Sequence, residues 1–248
     1  IDGNIGIRPT GKVPIRDDTG IPTWHYGNGT MPYNGTAGHG EWQGFLKFDE
    51  LPHCENPAQN YLASANQISA GPDYLETHHL QNNYAVGYRA RRINNLLQQG
   101  SSMDIADMQE MQLDVRSEKA ANMIPILLEI LANESSLTAS QELLYTLLNE
   151  WDYEMTSDTI AGTIFQGWSE IFKEKVFGDE FRAAEIPNYL WFALDSNLEY
   201  LLREAPASKW FNNITTNPTE TRNEVALNAL DRTYELLSAY FETNDITE

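Results

Sequence analysis

Asn66 is the side chain whose setting first suggests chemistry. It ends the run Asn56-Pro57-Ala58-Gln59-Asn60-Tyr61-Leu62-Ala63-Ser64-Ala65-Asn66, in which a turn dipeptide leads through an extended stretch into small residues that leave room for a ligand to approach. An asparagine amide is a neutral donor that no pH change switches off, which suits an oxyanion formed only during reaction. The residues of this segment alone favour a turn asparagine bonding its own backbone. Arg89 is a second candidate, because it opens a helical segment at the loop side, where a guanidinium can reach back into a site. A metal centre drawn from Asp73, His78 and His79, with His53 and Cys54 nearby in sequence, is disfavoured: two ligands on one element need spacings of two to four, and adjacent histidines point apart.

The elements that position these groups fall into two compositional regions. Residues 1–80 predict a loop-rich β portion. Asp2-Gly3-Asn4 is a turn followed by the alternating Ile5 and Ile7, and residues 41–52 alternate large apolar with polar side chains before an acidic pair and a proline. A strand beginning at residue 5 needs a partner, and no hairpin arm precedes it, so the chain reads as an internal fragment. Residues 8–40, rich in Gly, Pro, Asn and Thr, read as a long irregular loop whose Trp24, Tyr26 and Tyr33 pack on a body.

Residues 81–248 predict helices. The character changes from about Tyr84; Ser101 to Asp104 reads as a capping box for a helix carrying Ile105, Met108, Met111 and Val115, whose face continues to Met123 until Pro125 kinks or divides it. Thr138 caps a helix with Leu144, Leu147, Leu148 and Trp151 on one side, and amphipathic segments follow over residues 159–176, through Trp191, Leu194, Leu198 and Leu201, and through Leu227, Leu230, Tyr234, Leu237 and Phe241. These stripes are core or docking faces. The fold class predicted is α+β.

Composition narrows the partners. A formal charge of -20 on 248 residues, with 16 Lys plus Arg, repels a phosphate backbone and an anionic bilayer, so neither nucleic acid nor membrane is expected as a partner. The single cysteine, Cys54, excludes an internal disulfide framework. No cofactor-binding fingerprint, Walker loop or nucleophile elbow occurs. Sequons at Asn28, Asn34, Asn133 and Asn213 lean towards an extracytoplasmic, periplasmic or secreted address.

Several stretches together resemble the penicillin amidase (penicillin acylase) family of N-terminal-nucleophile hydrolases. They are Asp2 to Gly6, Gly11 to Arg16, Trp42 to Pro52, Asn56 to Asn66 and Tyr88 to Ile93, with weaker similarity at Met111 to Ser117, into Trp151-Asp152, and from Trp210 to Thr221. The resemblance implies a precursor that cuts itself to expose a serine, which attacks a linear amide with its own α-amino group as base. It implies that Asn66 helps form the oxyanion hole and that Arg89 orients Asn66 and the nucleophile's amino group. It further implies an αββα body completed by the remaining segments of the α and β subunits, and a small-molecule amide as substrate. Pro22 falls near a loop that binds calcium in some members, but Thr77 stands where a matching carboxylate is needed. The expectation is therefore no cofactor, with calcium confined to the intact enzyme. Because Ile1 is no nucleophile, the serine is expected from outside this chain and the chain alone is expected to be inactive. The competing expectation is a noncatalytic binding or structural module with the same fold.

Overall fold

The computed structural model describes residues 2–16, 34–38, 40–78, 80, 84–100, 102–186, 194–242 and 246. The expectations that rest on Pro22, Trp24, Tyr26, Tyr33, His79 and Trp191 lie outside these residues. The chain divides into two compact units, Ile1–Ser102 and Met103–Glu248. The helix carrying Arg89 belongs to the first unit and is hydrogen-bonded to the loop around Ala65 and Asn66.

The first unit contains two small antiparallel sheets. Strand β1 (Gly6–Ile7) pairs with β4 (Cys54–Glu55), and β2 (Pro14–Arg16) pairs with β3 (Trp42–Phe45) through a bulge between Ile15 and Arg16. Within the described residues the partner of the first strand comes from downstream. Asn56 closes the end of that pair: its N–H donates to the Ile5 carbonyl at 2.9 Å and its Oδ1 accepts from the Ile5 N–H at 3.0 Å. Asparagine is suited to the position because φ is +46° there, a left-handed conformation that its short polar side chain tolerates. Gly44, opposite Ile15, has φ of +150°, which a side chain would resist.

Few apolar side chains hold this unit. Among its described residues only Leu51, Ala65 and Ala90 are buried hydrophobics. Cations instead cover the exposed aromatics: the Arg8 guanidinium lies 4.1 Å from the Phe48 ring centre, Lys12 5.1 Å from Phe45 and Arg16 5.7 Å from Trp42. Such contacts are worth about 0.5–1 kcal/mol each at exposed sites. Helix α1 (Pro72–Leu75) starts on a proline preset for a first turn, and its Tyr74 hydroxyl donates to the Glu50 carbonyl at 2.7 Å. Helix α2 (Tyr88–Gln99) follows Gly87.

The second unit is a helical body of α3 (Ile105–Gln112), α4 (Glu118–Ala132), α5 (Ala139–Asn149), α6 (Ile160–Ala183), α7 (Asp195–Glu204) and α8 (Arg222–Phe241). Its core gathers around α6, where Phe165, Trp168 and Phe172 lie on one side at helical spacing and are essentially sealed from solvent. The Trp168 and Phe172 rings stack 5.1 Å apart, and the Trp168 indole N–H donates across to the Ala226 carbonyl of α8 at 3.0 Å. A buried ion cluster crosses the same core. Asp195 Oδ1, at the start of α7, lies 3.1 Å from both Lys173 Nζ of α6 and Lys119 Nζ of α4, and Lys173 also meets Glu170 at 2.9 Å.

Three helix readings need correction. The cap of α3 is Asp104, which accepts from the N–H groups of Ala106 and Asp107 while Asp107 returns a bond to the Asp104 N–H, so Asp104 takes the role that the sequence assigned to Ser101. The α3 stripe does not run on into α4: the chain breaks at residues 113–117, where Arg116 bridges Glu154, and α4 restarts on Ser117. Ile105, Met108 and Val115 consequently stay exposed. Pro125 sits inside α4 without dividing it. In α8 the deepest positions are Val225, Ala226, Ala229, Leu230 and Thr233; Leu227, Tyr234 and Leu237 of the expected stripe pack against the edge of the same core, and Phe241 is exposed. The remaining stripes are core: Leu144 and Leu148 of α5 and Leu198 and Leu201 of α7 are buried. The architecture is α+β, a short β portion followed by helices, in agreement with the sequence.

No helix among the described residues is long and apolar enough to cross a membrane.

Candidate functional site

The site is a loop held from three directions. Past the turn at residues 57–60, where the Asn60 N–H returns to the Pro57 carbonyl at 2.9 Å, the chain runs through Tyr61 to Ala65 and reverses at Asn66. Asn66 has φ of +62°, a left-handed conformation costing roughly 1 kcal/mol for a residue with a β-carbon, at the low end for asparagine. The surroundings must impose this, and they do. Ala85 N–H donates to the Asn66 carbonyl at 2.8 Å, and Arg89 Nη2, in the first turn of α2, donates to the Ala65 carbonyl at 3.1 Å and to Asn66 Oδ1 at 2.8 Å. The Gln67 side chain ties the strand on the other side, with Oε1 accepting from the Ala65 N–H at 2.6 Å and Nε2 donating to the Ala63 carbonyl at 3.2 Å.

The Arg89 contact fixes which end of the Asn66 amide faces outward. A guanidinium carries donors only, so the atom it meets must be the oxygen, and the two Nδ2 hydrogens point away. Among the described residues no acceptor takes them, and the Asn66 side chain is exposed while Ala65 beside it is buried. A cation on Oδ1 also draws electron density from the amide, which strengthens Nδ2 as a donor. The arrangement is a rigid, neutral, outward-facing N–H pair.

Asn66 and Arg89, singled out separately in sequence, are thus brought into direct contact. Gln67 and Ala85 were not singled out. Gln67 carried no signal beyond following an asparagine, and Ala85 acts only through its backbone. Pro22 lies outside the described residues. His78 stacks on Tyr74 with ring centres 4.4 Å apart and places Nδ1 2.8 Å from the Thr77 hydroxyl, and His53 Nδ1 lies 3.0 Å from the Leu51 carbonyl. Both rings have local partners of the kind that satisfies a structural histidine. Burial pushes the Tyr74 phenol above its ordinary pKa, and the nearby Glu50 carboxylate adds to the effect.

Comparison with known proteins assigns the class. The family model of penicillin amidase matches residues 1–247, and the chain belongs to the penicillin amidase family. Among similar proteins are an acyl-homoserine lactone acylase QuiP of Pseudomonas aeruginosa, 25% identical over 207 residues that make up 79% of this chain and 23% of that protein, and a penicillin acylase 2 proenzyme of a Pseudomonas species, 27% identical over 171 residues, 68% of this chain and 20% of that protein. A thermostable penicillin G acylase from Alcaligenes faecalis superimposes with a TM-score of 0.69 over 99% of this chain and 46% of that one, at 21% identity, so the likeness is one of fold. The chain spans roughly a quarter or less of the length of the curated relatives it matches.

Proposed function

We propose that this chain carries the oxyanion-stabilising part of an acylase that hydrolyses a linear amide bond of a small molecule. A serine at the start of a processed subunit, supplied from outside the chain, attacks the carbonyl, and its own α-amino group takes the hydroxyl proton. As the carbonyl oxygen gathers negative charge, Asn66 Nδ2 donates to it, and Arg89 keeps the amide turned with nitrogen outward. A preorganised donor of this kind contributes roughly 3 kcal/mol to the transition state. The remaining segments of the α and β subunits are the chain's partners, and the compartment is extracytoplasmic. The 248-residue chain alone is inactive on this reading.

The observation that carries it is the 2.8 Å bond from Arg89 to the Asn66 oxygen, on a loop whose left-handed turn leaves the amide nitrogen exposed and without a described acceptor. The experiment compares the complete precursor with the isolated chain, following release of homoserine lactone from N-acyl-homoserine lactones and of phenylacetate from penicillin G. The expected result is turnover of at least one substrate by the processed precursor and none by the chain. Turnover by the isolated chain, or cleavage by neither with the precursor fully processed, contradicts it.

A further inference from the structure

We propose that Gln67 is the positioning residue that holds Asn66 in its donating conformation; the proposal rests on the reading of Asn66 given above. In an extended segment the carbonyl of one residue and the N–H two residues later lie on the same edge of the chain, where a neighbouring strand would pair with both. No described strand pairs with Ala63 or Ala65. The Gln67 side chain takes that place: a primary amide offers one acceptor and one donor side by side, and here Oε1 receives the Ala65 N–H at 2.6 Å while Nε2 reaches the Ala63 carbonyl at 3.2 Å. One side chain therefore stands in for a strand edge.

The consequence falls on Asn66. Arg89 holds the Ala65 carbonyl that enters the turn and Ala85 the Asn66 carbonyl that leaves it. The Ala65 N–H and the Ala63 carbonyl, one step further back, are held among the described residues by Gln67. Ala65 is 5% exposed, so without Gln67 its N–H has no ready water to replace the acceptor. The backbone would then relax towards more populated angles, and the amide of Asn66 would turn from its aim. Gln67 touches no reacting atom on this account and acts only through its neighbour.

Two kinds of measurement test this. In the 248-residue chain, amide hydrogen exchange at Ala65 is expected to quicken about tenfold or more in Gln67→Met, which keeps the side-chain length and loses both bonds, and to stay slow in Gln67→Glu, which keeps the acceptor. In the processed precursor, Gln67→Met is expected to lower kcat about tenfold with KM nearly unchanged, and Gln67→Met in an Asn66→Ala background to lower it no further. Unchanged Ala65 exchange in Gln67→Met overturns the proposal. So does an equal loss of kcat in the Asn66→Ala background, which would mean that Gln67 acts independently. If Asn66→Ala lowers kcat while Gln67→Met does not, the positioning role alone fails; if Asn66→Ala leaves kcat intact, the reading of Asn66 fails with it.

Discussion

Replacing Arg89 with methionine separates orientation of the Asn66 amide from the amide itself. Methionine keeps much of the side-chain length and removes the charge and both bonds from Nη2, at 3.1 Å to the Ala65 carbonyl and 2.8 Å to Asn66 Oδ1. A hydrogen bond from a charged donor contributes about 1.5–3 kcal/mol when shielded, and solvent screening at these exposed side chains lowers that towards 1 kcal/mol each. Without the donors-only partner the amide is also free to present oxygen where nitrogen is needed. Together these effects amount to about 1.5–3 kcal/mol of transition-state stabilisation, so kcat of the processed precursor should fall roughly tenfold to a hundredfold. Arg89→Lys supplies one point donor in place of a fork and should fall between the two. The assay is steady-state amide hydrolysis on protein whose urea unfolding curve shows it fully folded under assay conditions, since loss of the two bonds lowers the midpoint without unfolding the chain. A methionine variant within twofold of the parent in kcat would refute the reasoning.

Other consequences concern the helical unit. Burial and a hydrogen bond that the protonated Glu180 carboxyl donates to Asp179 push Glu180 up to about 7, so the folded chain binds a proton that the unfolded chain releases near pH 4.5. Stability should therefore fall as pH rises between those values, and Glu180→Gln should flatten that slope in denaturation measured from pH 4.5 to 8. Asp195→Ala leaves Lys119 and Lys173, both largely buried, without their shared partner, and should cost about 3–5 kcal/mol by chemical denaturation; Lys173→Met should cost clearly less, because Lys119 still pairs with Asp195. Gly162→Ala should destabilise by about 1 kcal/mol, since its β-carbon would lie 2.5 Å from Thr159 Cγ2 and displace the hydroxyl that caps α6. Gly178→Ala should be neutral or stabilising by the same chemical denaturation: the atoms it meets belong to the ends of Glu174 and Arg182, which can move, and alanine favours the helix by about 1 kcal/mol.

Legibility in the sequence followed the range of the interaction concerned. Helices α5 and α6 could be read because their caps, Thr138 and Thr159, and their apolar spacing are local, and burial then followed from period alone. The α3 stripe could not be placed by the same rule: spacing says which side of a helix is apolar but not whether anything covers it, and over the break at residues 113–117 the backbone bridges to a distant segment, Ser117 N–H to the Tyr153 carbonyl and Met155 N–H to the Val115 carbonyl. In α8 spacing picked out the leucines and tyrosine but not the small, fully buried Ala226 and Ala229 beside them, and the Ala226 carbonyl accepts the Trp168 indole N–H of α6 at 3.0 Å. In the site, Asn66 stood out by residue type and by its small neighbours, and Arg89 by its place at a helix start. Their contact spans 23 residues and was implied only by family resemblance. Gln67 and the Ala85 N–H were invisible, since their roles come from backbone geometry that a residue type does not announce.

The most direct test of the oxyanion assignment is Asn66→Asp in the processed precursor. Aspartate keeps the shape and the oxygen that faces Arg89, and it removes the two donating hydrogens. The variant's kcat should drop about 10²–10³-fold while KM and the urea midpoint hold. An Asn66→Asp enzyme that kept a tenth or more of the parental kcat would contradict the assignment.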